Sequence, residues 1–245
     1  MIKKELCEMA DPMGTAIYDY YKTGKADRLR VFSSQFDEDE IPVEDLFRGY
    51  DSMPVLEKIA LDLADGTILD VGAGSGCHSA ALMGMGKNVT AIDISPLSVK
   101  VMCERGIDAS VTDFYDESFN RRFDTVLMLM NGTGIVGTLD NMPLFFRRIS
   151  QLLNPGGSLI IDSSDLRYLF EEDDGSLMID LADDYYGQID YQMKYGEVEG
   201  EPFDWLYVDF ETLSFYAEEN GFKAELLAEG SHYDYLARLY PCLSL

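Results

Sequence analysis

Residues that usually carry metal or nucleophilic chemistry are scarce in this chain. Its 245 residues include 2 histidines and 4 cysteines. Cys7, Cys77, Cys103 and Cys242 stand apart, with no CxxC or Cys/His spacing that would hold zinc, so no metal site is expected. Scattered thiols of this kind suit a reduced, cytoplasmic protein. Bases are few as well: 19 Lys and Arg face 45 Asp and Glu, a formal charge of −26. Such a surface repels a phosphate backbone, which argues against a nucleic-acid partner. No run approaches the roughly 20 apolar residues that cross a bilayer. Met1-Ile2-Lys3-Lys4-Glu5-Leu6-Cys7-Glu8 also lacks an apolar signal-peptide segment, so no membrane partner is expected. Repeats and Pro- or Ser-rich linkers are missing too, and nothing in the sequence fixes an oligomeric state.

The apolar and aromatic content, 47% and 12%, is enough for a sizeable core and argues against disorder. Residues 1–65 read as a helical lead-in or cap. Asp51-Ser52-Met53-Pro54 offers an N-cap and an early proline, and Leu56, Ile59, Ala60 and Leu63 share a helical face. From residue 66 onward short apolar runs alternate with helical stretches. Strands are expected over 67–71, 89–93, 108–111, 123–130 and 158–162. The helices between them include one opened by Ser95-Pro96 and one over 139–153, stopped by Pro155-Gly156-Gly157. Continuous apolar strands separated by helices predict a parallel sheet covered on both faces, an α/β domain over 66–245. Residues 164–211 interrupt it. Ile189, Tyr191, Met193 and Tyr195 alternate with polar residues, as do Phe203, Trp205 and Tyr207, which predicts an antiparallel hairpin inserted after the fifth strand. A helix near 211–220 and strands near 222–228 and 233–240 follow.

The first strand runs into Leu69-Asp70-Val71-Gly72-Ala73-Gly74-Ser75-Gly76. Glycines at such a turn let backbone approach a ligand, and the following helix offers free N–H groups. A dinucleotide G-x-G-x-x-G pattern would place its third glycine at Cys77; the spacing here is G-x-G-x-G instead. Asp93 closes the second strand, where a carboxylate can accept from both ribose hydroxyls. Asp113, after the third, could accept from an adenine amine while Phe114 packs near the base. Asp70, Asp93 and Asp113 should therefore meet at the carboxyl ends of adjacent strands, where open α/β sheets bind ligands.

These segments in this order closely resemble the class I S-adenosylmethionine-dependent methyltransferases. Their first motif matches residues 69–76, their acidic second-strand motif Ala91-Ile92-Asp93-Ile94-Ser95, and their adenine motif Thr112-Asp113-Phe114. Their fourth- and fifth-strand motifs match Phe123-Asp124-Thr125-Val126-Leu127 and Leu153-Asn154-Pro155-Gly156-Gly157-Ser158-Leu159. The resemblance implies a Rossmann-like, seven-stranded mixed sheet with the last strand antiparallel, and S-adenosylmethionine as cofactor. It implies that Asp70, Gly72 and Gly74 hold the methionine end, Asp93 the ribose, and Ile94 and Asp113 the adenine; Gly76 and Phe114 complete the expected cofactor-binding set. Asn131 would then lie near the sulfonium and the substrate.

Methyl transfer from a sulfonium is an in-line displacement, in which the enzyme mainly aligns the reacting atoms and removes a proton where the acceptor carries one. Candidate bases are few. His78 begins the helix after the glycine turn, where the helix dipole disfavours an imidazolium, and reads as structural. His232, in Ser231-His232-Tyr233-Asp234-Tyr235, and Asn131 are the candidate catalytic residues. After the fourth strand Met130-Asn131-Gly132 lacks the [DN]-P-P-[YFW] signature of enzymes that methylate nucleic-acid or protein nitrogens. Between Ser164 and Glu211 fifteen acids face two bases, with aromatics interleaved. That segment reads as a lid over a small-molecule substrate, cationic molecules among the candidates, with Tyr185, Trp205, Tyr207 and Tyr233 as contacts. Arg48 would close the other side against the cofactor carboxylate. Two rival expectations are a cofactor-binding module without turnover and an aminopropyltransferase acting on a cationic amine.

Overall fold

The computed structural model describes residues 10–170 and 184–242. Helix α1 (Pro12–Thr23) starts where Asp11 accepts the Gly14 N–H at 2.7 Å, and it stops at Gly24 in the left-handed region. The lead-in is not purely helical, which corrects the expectation. Strands β1 (Leu29–Phe32) and β2 (Asp39–Ile41) form a hairpin ahead of helix α2 (Val55–Leu63). In α2 the cap position is Pro54, with no side-chain cap bond, so the N-cap expected from Asp51-Ser52-Met53-Pro54 is not made.

The α/β region follows the predicted runs closely. Strand β3 (Thr67–Val71) leads into α3 (Cys77–Gly84), β4 (Asn88–Asp93) into α4 (Pro96–Glu104), and β5 (Ala109–Val111) precedes β6 (Phe123–Met128). Helix α4 is capped by Ser95, whose hydroxyl accepts the Ser98 N–H at 2.9 Å. Helix α5 (Met142–Leu152) runs directly into β7 (Leu153–Ser164). The Pro-Gly-Gly segment is therefore absorbed into the strand, as an irregularity between the pairs Phe123–Leu153 and Thr125–Ser158. The insert contributes β8 (Gln188–Tyr195), β9 (Val198–Glu199) and β10 (Phe203–Leu206). Helix α6 (Phe210–Glu219), β11 (Phe222–Glu229) and β12 (Asp234–Pro241) follow.

The main sheet has seven strands in the order β11-β12-β7-β6-β3-β4-β5. Strands β7, β6, β3, β4 and β5 are parallel, while β12 is antiparallel to both β7 and β11. Because β3 lies between β4 and β6, the connections leave it in opposite directions and open a crevice at its carboxyl end. Phe145, Phe146 and Ile149 of α5 and Leu213 and Ala217 of α6 fill one face of the sheet; Leu56, Ala60, Leu61 and Leu82 of α2 and α3 fill the other.

A second sheet, β10-β8-β1-β2 with β9 on β8, joins the insert to the lead-in. The hairpin pairing expected within the insert is present, with Tyr191 opposite Phe203 and Ile189 opposite Trp205. The added pairing, Leu29 with Tyr195 and Val31 with Met193, links segments more than 150 residues apart into one cap.

Candidate functional site

The crevice floor is the turn after β3. Gly72, Gly74 and Gly76 have φ of +67°, +56° and +79°, a region that side chains strain to adopt. A side-chain carbon at Gly72 would lie 3.2 Å from Ile135, and one at Gly74 would lie 3.8 Å from Ile17 of α1. At Gly72 and Gly74 the turn therefore presents bare backbone between α1 and the loop after β6, whereas a side-chain carbon at Gly76 would run into Ile107 at 2.5 Å and Met102 at 2.9 Å, so that glycine answers to core packing.

Three carboxylates line this rim, as the strand order requires. Asp70 is buried on β3 and accepts from the Ser79 hydroxyl at 2.6 Å; burial raises its pKa. Asp93, at the end of β4, accepts the Gly74 N–H through Oδ2 and the Ser95 N–H through Oδ1, both at 2.8 Å. Burial, with the nearby charges of Asp11 and Asp70, pushes its pKa up to about 6 against those two donors. Asp113 lies two residues beyond β5 and accepts the Tyr115 N–H at 2.9 Å, and the Thr112 N–H donates to the Asp93 carbonyl at 2.9 Å. Each carboxylate oxygen can accept more than one hydrogen bond, so these groups retain capacity for donors of a bound molecule. Ile94, half-buried, follows Asp93 on the same rim. The Phe114 ring is buried in the core, 5.7 Å from Phe145 and 4.8 Å from Tyr115. Arg148 fixes this loop by donating to the carbonyls of Phe114, Asp116 and Phe119.

The exit of β6 is strained. Met130 and Asn131, neither of them glycine, have φ of +65° and +61°. Asp162 of β7 holds the strained turn, its oxygens accepting the N–H groups of Met130 at 3.1 Å and Gly132 at 2.9 Å. Burial pushes Asp162 up to about 6. Sequence reasoning missed Asp162, although an acid ending the fifth apolar run, beside Asn131, was the available signal. The Asn131 amide oxygen accepts from Ser163 at 3.2 Å, and Thr133 bonds both Ser163 and the Leu206 carbonyl. Ser163 in turn accepts the Val208 N–H at 3.0 Å, which ties the base of β10 to this loop.

The expected lid residues divide. Trp205 packs against Gly134 in the short 3-10 turn after β6, so closely that a side-chain carbon there would overlap its ring. The Tyr207 hydroxyl pairs with that of Tyr191 at 3.1 Å. Tyr185 is engaged elsewhere, donating to Asp209 at 2.6 Å at the start of α6, so it anchors the cap. Tyr233 is exposed and stacks on Tyr168 with centroids 4.8 Å apart. His232 is exposed in the turn between β11 and β12, its N–H donating to Asp234.

Arg48 belongs to a buried ion network. Its Nε donates to Glu57 Oε2 at 3.1 Å and its Nη2 to Glu57 Oε1, while His78 Nε2 lies 3.0 Å from Glu57 Oε2. The sequence marks His78 as structural, with the helix dipole disfavouring its charged form; its surroundings act against the dipole. Burial disfavours the charged ring, but hydrogen bonding to Cys77 and Glu57 and the charge of Asp70 outweigh it and raise the pKa well above the ordinary value. No group of His, Cys, Asp or Glu among the described residues has a metal-holding arrangement.

The family described as "Methyltransferase domain" matches residues 69–161, from the glycine turn to β7. A crystal structure of a S-adenosylmethionine-dependent methyltransferase from Bacteroides fragilis, in complex with S-adenosyl-L-homocysteine, is 62% identical. It covers 98% of this chain and 99% of its own, with a TM-score of 0.94. Among curated proteins, cypemycin N-terminal methyltransferase from Streptomyces sp is 33% identical over 40% of this chain and 42% of its own. Ubiquinone biosynthesis O-methyltransferase from Xanthomonas oryzae pv. oryzae is 33% identical over 42% of this chain and 45% of its own. The chain thus spans less than half the length of these curated relatives. The glycine turn, the ordered carboxylates and the full-length likeness agree: the chain belongs to the S-adenosylmethionine-dependent methyltransferases.

Proposed function

We propose that this enzyme methylates a small organic molecule held between the turn after β6 and the cap sheet. The observation that carries this reading is the Trp205 indole seated on Gly134, three residues beyond Asn131. Bound S-adenosylmethionine supplies an electrophilic methyl group on a sulfonium. The chain's own part is alignment and exclusion of water. Asp93 and Asp113 accept from ribose and adenine donors, Asp70 and Arg48 face the amino-acid end, and the Gly72–Gly76 backbone lets the cofactor approach. Trp205, Tyr207 and Tyr233 are the acceptor's aromatic contacts. The acids of the cap favour a cationic acceptor, through charge and cation–π attraction. His232, on the turn at the same rim, is available as a base. No helix among the described residues is long and apolar enough to cross a membrane; a cytoplasmic enzyme is the reading we favour.

The direct test incubates the enzyme with methyl-labelled cofactor and fractionated metabolite extract, and follows label into products by mass spectrometry. Label appearing in small, basic compounds supports the proposal, and label confined to protein or nucleic acid overturns it. Two variants assign the residues. Asp93→Ala should weaken S-adenosylhomocysteine binding by roughly 1–3 kcal/mol in calorimetry, since it leaves ribose hydroxyls unpaired. Unchanged affinity would remove Asp93 from the ribose. Trp205→Ala should raise KM for the identified acceptor roughly tenfold or more, as loss of a buried aromatic anchor does, with cofactor affinity held. Equal effects on both ligands would make the cap structural only.

A further inference from the structure

Glu57 stands in α2 where the helix faces the core, among Leu56, Ala60 and Leu61. Burying a carboxylate there is costly unless partners compensate it, and a well-packed apolar side chain would serve stability equally well. Its partners are two cations. Arg48 approaches side-on, through Nε and Nη2, and His78 meets the same carboxylate through Nε2 at 3.0 Å. Side-chain exposures of 11%, 7% and 5% for Arg48, Glu57 and His78 place all three out of bulk water. Burial raises the Glu57 pKa, but its bonds to His78 and Arg48 outweigh that and keep it ionised.

This pairing fixes the plane of the guanidinium. Three of its five N–H groups have assigned partners, two on Glu57 and one, from Nη1, on the Asp45 carbonyl. One N–H on Nη1 and one on Nη2 remain. The network also sits directly behind the glycine turn. The Ser75 hydroxyl, between Gly74 and Gly76, donates to the carbonyl of Leu46, two residues before Arg48. Cys77 and His78 begin α3 on its far side. Cys77, Asp70 from β3 and Asp162 from β7 are the other titratable groups that interact with His78.

We propose that Glu57, locked by His78, is a positioning residue of the cofactor site, which orients Arg48 so that its remaining donors meet the cofactor's α-carboxylate. This rests on the reading of Arg48 given above. One carboxylate shared by two cations sets the direction of both: the guanidinium cannot swing toward solvent without breaking a two-point contact, and His78 keeps Glu57 from following it.

Calorimetry on the full chain with two probes tests the idea. S-adenosylhomocysteine carries the amino-acid end; 5′-deoxy-5′-methylthioadenosine shares the adenosine and sulfur and lacks that end. Glu57→Gln should weaken S-adenosylhomocysteine roughly ten- to a hundredfold, the range of a misplaced charge-assisted bond, and leave the shorter probe within about threefold. Arg48→Gln should give the same selective loss. The double variant should be no worse than Arg48→Gln alone, because Glu57 acts through Arg48. If Glu57→Gln does not fold, Glu57→Asp, which keeps the charge and retracts it, is measured in the same way. Equal weakening of both probes, no weakening of either, or unfolding of both variants overturns the proposal. Should Arg48→Gln retain the preference for the longer probe, the reading of Arg48 itself falls. Should Arg48→Gln lose that preference while the Glu57 variants keep it, only the positioning role falls.

Discussion

A Gly134→Val variant is expected to unseat the cap. A side-chain carbon at 134 would lie 1.8 Å from Cε2, 2.2 Å from Cδ2 and 2.3 Å from Nε1 of Trp205. The overlap is with the rigid ring system rather than with a flexible tip, so a change of rotamer at the contact cannot relieve it. Nor can β10 slide away. Leu206 and Val208, flanking the strand's end, are bonded to Thr133 and Ser163, and the indole also meets Phe203 edge-on with centroids 6.0 Å apart. Either the indole leaves its seat or the second sheet shifts as a unit, at a cost on the order of 3 kcal/mol, the upper range for overpacking. Trp205 is the single tryptophan of the chain, so its fluorescence reports this contact alone. The variant should show red-shifted emission and a lower melting temperature, with S-adenosylhomocysteine affinity within about threefold, because no carboxylate of the rim touches residue 134. Unchanged emission and stability would mean that the indole does not lie on this turn in solution.

What the sequence revealed of the fold follows from the range of the interactions involved. Strands β3, β4 and β6 are continuous apolar runs bounded by glycines and acids, and their signal lies within the segment itself. The same locality made the rim legible: Asp70, Asp93 and Asp113 each end or follow a strand, so strand order alone brings them together. β1 was illegible for the opposite reason. Leu29-Arg30-Val31-Phe32 is four residues long, its nearby partner β2 is only Asp39-Glu40-Ile41 with two acids, and its other partner β8 begins at Gln188, so no apolar pattern near it marks it as a strand. In α2 the expected face of Leu56, Ile59, Ala60 and Leu63 is rotated. The buried set is Leu56, Glu57, Ala60 and Leu61, while Leu63 is exposed. An amphipathic pattern assigns acids to solvent, and Glu57 breaks that rule because Arg48 and His78 wait for it inside. For His78 the helix dipole gives the wrong direction, because it is a weaker influence than a carboxylate at 3.0 Å.

Asp93 and Asp162, with Asp70 raised as well, predict an unusual response to pH. Burial pushes Asp93 and Asp162 up to about 6 in the folded chain, against the ordinary 3.8. Between those values the folded protein holds protons that the unfolded chain has released. Their stabilising contribution is therefore complete below about pH 4 and disappears as pH rises through 6, by up to roughly 3 kcal/mol for each group. Carboxylates held low, such as Glu57 and Asp209, act in the other direction, but below about pH 4.5. The loss at His78 falls above this window, because its pKa is raised. Without ligand, the melting temperature should thus fall from pH 4.5 to 6.5. Ribose hydroxyls donate to the ionised form of Asp93, so S-adenosylhomocysteine should bind more tightly as pH rises from 5 to 7, releasing a proton near pH 6, and the melting shift it produces should grow over the same range. Asp93→Asn removes the titrating group and should flatten that growth. Asp162→Asn should change only the slope measured without ligand. A melting shift of equal size at pH 5 and pH 7 in the wild-type chain would show that Asp93 does not meet the ribose, because accepting those hydrogen bonds must favour the charged carboxylate.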